Sequence, residues 1–88
     1  MAADLLTVNL RYFASLREAL GAREVLRLPA GSTVGALRDA LIARGGRHAE
    51  VLARGRAVRC ALNQLMADET TLLPDGAEVA FFPPVTGG

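Results

Sequence analysis

Residues 5–13 read Leu-Leu-Thr-Val-Asn-Leu-Arg-Tyr-Phe, and their two-residue apolar period constrains the rest of the chain. Leu6, Val8, Leu10 and Tyr12 fall on one face of an extended strand, and Thr7, Asn9 and Arg11 fall on the other. Such a strand has to bury one face against something apolar. Only one segment offers a long helical stripe: Val34, Leu37 and Leu41, with Ala40 beside them and Arg38 and Asp39 off the stripe. A sheet covered by one main helix is the architecture these two patterns permit, which makes the fold class α+β with a mixed sheet.

The remaining segments fit that frame. Residues 15–20 suit a short helix with Leu16 and Leu20 four apart, closed at Gly21. Residues 23–28 alternate again, but Val25 is out of phase with Leu26 and Leu28, which leaves the register open. Pro29-Ala30-Gly31 is a turn. Ser32 or Thr33 then caps the main helix, which Gly45-Gly46 ends. Gly35 in its first turn costs about 1 kcal/mol against alanine, and close packing is the one explanation the sequence offers. A weak helical patch surrounds Val51 and Leu52. Residues 58–62 form a further strand, Asn63-Gln64 a tight turn into Leu65-Met66, and Leu72-Leu73 a buried connector. Pro74-Asp75-Gly76 is a strong turn signal. Residues 78–82 form the last strand, and Pro83-Pro84 stop it because neither can donate to a ladder.

Composition excludes several kinds of chemistry. With 88 residues there is room for one core and no second domain. The basic residues are ten arginines and no lysine, so Schiff-base and P-loop chemistry within the chain are excluded. One cysteine and one histidine exclude an internal disulfide and leave no ligand set for a metal. The net charge of +1, without a basic run, does not suggest nucleic acid as a partner. No targeting segment or membrane span is visible, so the expected compartment is the cytoplasm.

Among individual side chains, Cys60 reads as a small core residue in mid-strand. His48 reads as solvated surface in a polar connector, and Asp68-Glu69 as turn and capping residues. Phe81 and Phe82 point to opposite faces of the last strand. One belongs to the core, and the other is a candidate partner surface. The tail is more specific. Two prolines favour an extended exit, and Pro83 to Gly88 span about 20 Å when fully stretched. Glycine has no Cβ, so a narrow channel can close around Gly87-Gly88 and still reach a terminal carboxylate.

Arg11-Tyr12-Phe13-Ala14-Ser15-Leu16-Arg17-Glu18 followed by Gly21 resembles the opening of the small subunits of molybdopterin synthase, a family of ubiquitin-like sulfur carriers. Thr33-Val34-Gly35-Ala36-Leu37-Arg38 and Ala61-Leu62-Asn63-Gln64 resemble the same family. Most specific is Asp75-Gly76-Ala77-Glu78-Val79-Ala80-Phe81-Phe82-Pro83-Pro84-Val85-Thr86-Gly87-Gly88, which is similar to the family's ending almost letter for letter. Residues 44–57 match least.

The resemblance implies a ubiquitin-like β-grasp body over residues 1–82 and an extended tail over residues 83–88. It implies that Gly88 is adenylated by an enzyme resembling ubiquitin activators and converted by a sulfur donor to a thiocarboxylate. That sulfur would pass to precursor Z, cyclic pyranopterin monophosphate, inside the large synthase subunit. Gly88 would be the reacting residue, and Phe81, Phe82, Pro83, Pro84, Val85, Thr86 and Gly87 would guide docking. ATP would be used by the adenylating partner, with no cofactor or metal bound by this chain, and the assembly would be a heterotetramer. Two alternatives remain: a carrier serving thiamine, tRNA thiolation or cysteine synthesis, and a β-grasp interaction module or protein modifier that never carries sulfur.

Overall fold

A computed structural model describes residues 4–84. The elements run β1 (Leu5–Tyr12), α1 (Ala14–Leu20), β2 (Arg23–Pro29), α2 (Val34–Ala43), α3 (Gly46–Leu52), β3 (Arg59–Leu62), β4 (Leu65–Ala67) and β5 (Ala77–Phe82). The five strands form one sheet in the order β2-β1-β5-β3-β4. β1 and β5 are parallel neighbours, and every other pairing is antiparallel. The last strand therefore lies between the first and the third. Its C-terminal end emerges beside the C-terminal end of β1.

Leu6, Val8, Leu10 and Tyr12 of β1 are all buried, as the alternation requires, together with Ala77, Val79 and Phe81 of β5. The apolar side chains of Val34, Leu37 and Leu41 from α2, Leu16 from α1 and Leu52 from α3 close this face into one core. Each fully buried leucine or valine contributes about 1.5–3 kcal/mol relative to exposure. Thr33 is the helix cap, its hydroxyl accepting from the Ala36 N–H at 3.1 Å. The open register of β2 is settled by pairing of Asn9 with Val25, which leaves Val25 on the outer face at 63% exposure.

Two expectations are corrected, for Arg38 and Leu72. Arg38 is buried at 5% exposure instead of lying off the core stripe. Its guanidinium donates to the carbonyls of Leu52, Ala53 and Arg56 and to Glu69, so its fork satisfies the segment after α3. α2 ends at Ala43, closed by the Arg44 N–H donating to Leu41 at 3.1 Å and the Gly45 N–H donating to Ile42 at 3.0 Å; Gly45, at a φ of 75°, also opens α3. The helical patch expected around Val51 and Leu52 is α3, anchored by fully buried Leu52. Of the Leu72-Leu73 connector only Leu73 is buried, because an isolated bridge from Leu72 to Thr33 turns the Leu72 side chain outward at 65% exposure.

Gly35 does owe its place to close packing. A Cβ there would stand 3.1 Å from the Glu69 carbonyl oxygen, which accepts the Gly35 N–H at 2.9 Å.

Candidate functional site

Phe82 closes β5 on the outer face of the sheet, and Pro83 and Pro84 follow it half-buried. Phe81 points the other way. It is 1% exposed and stacks on Tyr12, with ring centroids 6.4 Å apart at 18°. Of the two aromatics, Phe81 is therefore the core residue and Phe82 the surface one. The main chain is held at this point as well, since the Phe13 N–H donates to the Phe81 carbonyl at 3.2 Å. The chain leaves the sheet from a fixed position. Val85, Thr86, Gly87 and Gly88 lie outside the described residues.

A polar cluster backs this exit. The Tyr12 hydroxyl donates to Glu24 at 2.7 Å, and the same carboxylate takes Arg44 and, at 2.7 Å, His48. Burial alone would push the Glu24 carboxyl up. Hydrogen bonds from His48, Tyr12 and Arg44 outweigh it and hold the group below the usual carboxylate range. The Tyr12 phenol is pushed far up, first by burial and then by its bond to Glu24. His48 is thus a corner of a part-buried network and not the solvated residue its polar surroundings suggest. Its partner lies 24 positions away on β2, out of reach of any local pattern.

Cys60 is buried as expected, with Sγ donating to the Ala67 carbonyl at 3.2 Å. Burial, reinforced by Glu69 and Asp68, pushes its thiol up, which opposes nucleophilic use. Asp68 is a turn residue, accepting from the Thr70 N–H at 2.9 Å and from the Thr70 and Thr71 hydroxyls. Glu69 does more than turn the chain, because it joins buried Arg38 to Arg54, which also holds Asp39. Among the described residues no three His, Cys, Asp or Glu side chains gather as metal ligands. No helix there is long and apolar enough to cross a membrane.

Two residues beside Phe82 escaped sequence reasoning. Arg59 is its direct cross-strand partner on β3. Phe13, at 38% exposure just past β1, lies under the Arg11 guanidinium at 5.2 Å from the ring centre. The period-two rule applied across strands would have found Arg59, but only once β3 was known to pair with β5. Behind the exit, Pro83 also borders a cavity of about 320 Å³ with Ser15, Leu16, Val51, Arg56 and Val58.

The described residues thus form a sheet covered by helices, from whose central strand Pro83 and Pro84 lead out. Known proteins are similar to this chain over nearly their whole length. The sulfur carrier subunit of molybdopterin synthase from Mycobacterium tuberculosis is 40% identical over 86 residues, covering 96% of this chain and 100% of that one. The Escherichia coli protein of the same name is 40% identical over 81 residues, covering 92% and 99%. Among solved structures, the complex of subunits 1 and 2 of molybdopterin-converting factor from Helicobacter pylori contains a chain 28% identical, with a TM-score of 0.63 and coverage of 94% and 100%. Small archaeal modifier protein 1 of Haloferax volcanii superposes with a TM-score of 0.74 at 25% identity, covering 91% and 99%. A similarity to an archaeal ubiquitin at 16% identity, with a TM-score of 0.64, concerns the fold alone and marks it as ubiquitin-like. A family model described as the ThiS family matches residues 10–88, and with these relatives it places the chain: the protein belongs to the ThiS family, on a ubiquitin-like α+β fold.

Proposed function

We propose that this chain is the sulfur-carrying small subunit of a molybdopterin synthase, with residues 1–82 as its body and residues 83–88 as its working tail. The observation that carries the reading is the fixed exit at Phe82-Pro83-Pro84, followed by Val-Thr-Gly-Gly, in a chain whose relatives of that name align from end to end. The Gly88 carboxylate attacks the α-phosphorus of ATP held by an adenylating partner, releasing pyrophosphate and leaving an acyl-adenylate. A sulfur nucleophile at the sulfide level then attacks the acyl carbon and expels AMP, and its sulfur stays on Gly88 as a thiocarboxylate. Activation divides one hard substitution into two easier ones. In the large subunit the terminal sulfur bonds to a carbon of precursor Z, and water then cleaves the acyl–sulfur bond, which restores the Gly88 carboxylate for another cycle. Two transfers complete the dithiolene.

The chain contributes reach and fit, while its partners contribute acids, bases, metal and ATP. Gly87 lets the partner's channel close on the main chain; Phe82, Pro83, Pro84, Val85 and Thr86 set the approach, with Phe81 acting from the core. The reading places the protein in the cytoplasm, in a heterotetramer with two large subunits and with no cofactor of its own.

Intact mass spectrometry after co-expression with the adenylating enzyme and a sulfur source tests the carrier role. The expected result is a mass gain of one oxygen-for-sulfur exchange, located on the C-terminal peptide. Its absence would overturn the reading. The similarity to small archaeal modifier protein 1 favours one second reading, a protein modifier. That reading expects isopeptide adducts of the C-terminus on other proteins in the same experiment, and no oxygen-for-sulfur exchange.

A further inference from the structure

The helices cover one face of the sheet and leave the other face open. Along the strands that open face carries Arg11, Arg23, Arg27 and Arg59 against a single acid, Glu78. None of these four arginines has an ion pair among the described residues. The other paired acids, Glu24, Asp39 and Glu69, are taken up by Arg44, His48, Arg54 and Arg38. A net charge of +1 therefore conceals a one-sided distribution. The linear sequence hides it because the four arginines come from three separate strands.

One rung stands out. Arg11 and Arg23 are direct partners between β1 and β2, so two like charges face each other on one side of the sheet. Such a pair is destabilising and needs a compensating role. It sits at the same end of the sheet as the tail exit, where Arg59 pairs with Phe82. A groove of about 610 Å³ runs between the two arginines, with Asn9 and Glu78 in its walls. Towards β3, Ala80 and Ala61 form a small-residue floor that ends at Met66, which is 58% exposed.

We infer that Arg11, Arg23 and Arg59 form a cationic rim that recognises a carboxylate-bearing protein surface on the partner that takes the tail. Arginines around an apolar centre are the composition of a protein–protein interface. Single-stranded nucleic acid would need open aromatic faces for stacking. Here Arg11 already covers the Phe13 ring, and Phe82 is half-buried. The rim steers encounter and sets register; the tail then supplies the contacts that hold.

The inference rests on the carrier reading, and one experiment separates the two. The full chain is titrated against the large subunit by calorimetry at low and physiological salt, as wild type, Arg23→Glu, Arg59→Glu and Arg47→Glu. Arg47 on exposed α3 reports the effect of net charge alone. Arg23→Glu and Arg59→Glu should each weaken binding by about tenfold at low salt and flatten its salt dependence, with Arg47→Glu close to wild type. Arg23→Glu puts opposite charges on the Arg11 rung, so its melting temperature should hold or rise, which separates lost recognition from lost folding. Wild-type affinity and salt dependence in both variants would overturn the rim while leaving the carrier reading intact. Equal weakening by Arg47→Glu would also overturn it. A wild type that never binds the large subunit would overturn both readings. Arginine-dependent capture of single-stranded RNA, with partner affinity unchanged, would assign the face to nucleic acid instead.

Discussion

Gly35 occupies the first turn of α2, where alanine is the better helix former by about 1 kcal/mol. The structure reverses that preference. The Glu69 carbonyl that a Cβ would meet at 3.1 Å is also the acceptor of the Gly35 N–H, so it cannot retreat without breaking a bond. Gly35→Ala should lower stability by about 1 kcal/mol in urea unfolding, overpacking outweighing propensity. Arg38 presents the complementary case. Its planar fork reaches three carbonyls and one carboxylate from a buried position, and lysine offers three donors around a point charge. Arg38→Lys should cost about 2–3 kcal/mol, read in the same experiment, because buried carbonyls lose their donors. Close packing at Gly35 was legible in the sequence but its neighbour was not, and the burial of Arg38 was not legible at all. Both depend on main-chain atoms contributed by segments 14 to 34 positions away, and side-chain periodicity carries no information about those.

At the scale of elements, what the sequence could say depended on how local the determinant was. β1 and the Asn63-Gln64 turn follow from neighbouring residues, and both turn residues do adopt positive φ, 48° and 71°. α3 was only a weak patch, because its seven residues carry one core leucine and depend on contacts from elsewhere. One contact is His48 to Glu24, which makes the docking of α3 sensitive to acid. The folded-state pKa of Glu24 is lowered below its ordinary 4.5, so its contribution is complete above that value and is lost as pH falls through the lowered one. Glu24→Gln should therefore flatten the acid limb of the stability profile below about pH 4.5, while at neutral pH it gives a protein less stable than wild type. An unchanged acid limb, followed by circular dichroism, would place the sensitivity elsewhere, with Glu69 as the next carboxylate held low by arginine.

For the whole molecule, the sheet order was not readable from the sequence, since nothing in β1 or β5 alone says that they pair in parallel across some seventy positions. The ending Phe82-Pro83-Pro84-Val85-Thr86-Gly87-Gly88 carries the proposed carrier reading on residue types alone, whatever the body does. These two facts divide the molecule into a platform and a working end. Deleting Gly88 should abolish sulfur loading and transfer while leaving the melting temperature within about 1 °C of wild type, because the core lies entirely within residues 6–81. A drop of several degrees would give the tail a structural role.

The central position of β5 carries a further consequence. Until this strand inserts, β1 and β3 have no neighbour in common, and the sheet exists only as two hairpins. Contacts this distant in sequence form late and slowly. The segment that completes the architecture is also the one that leads into the tail. An incompletely folded chain therefore presents no ordered exit for a partner to grip. On the proposed carrier reading, completing the sheet and readying the tail for a partner are one event.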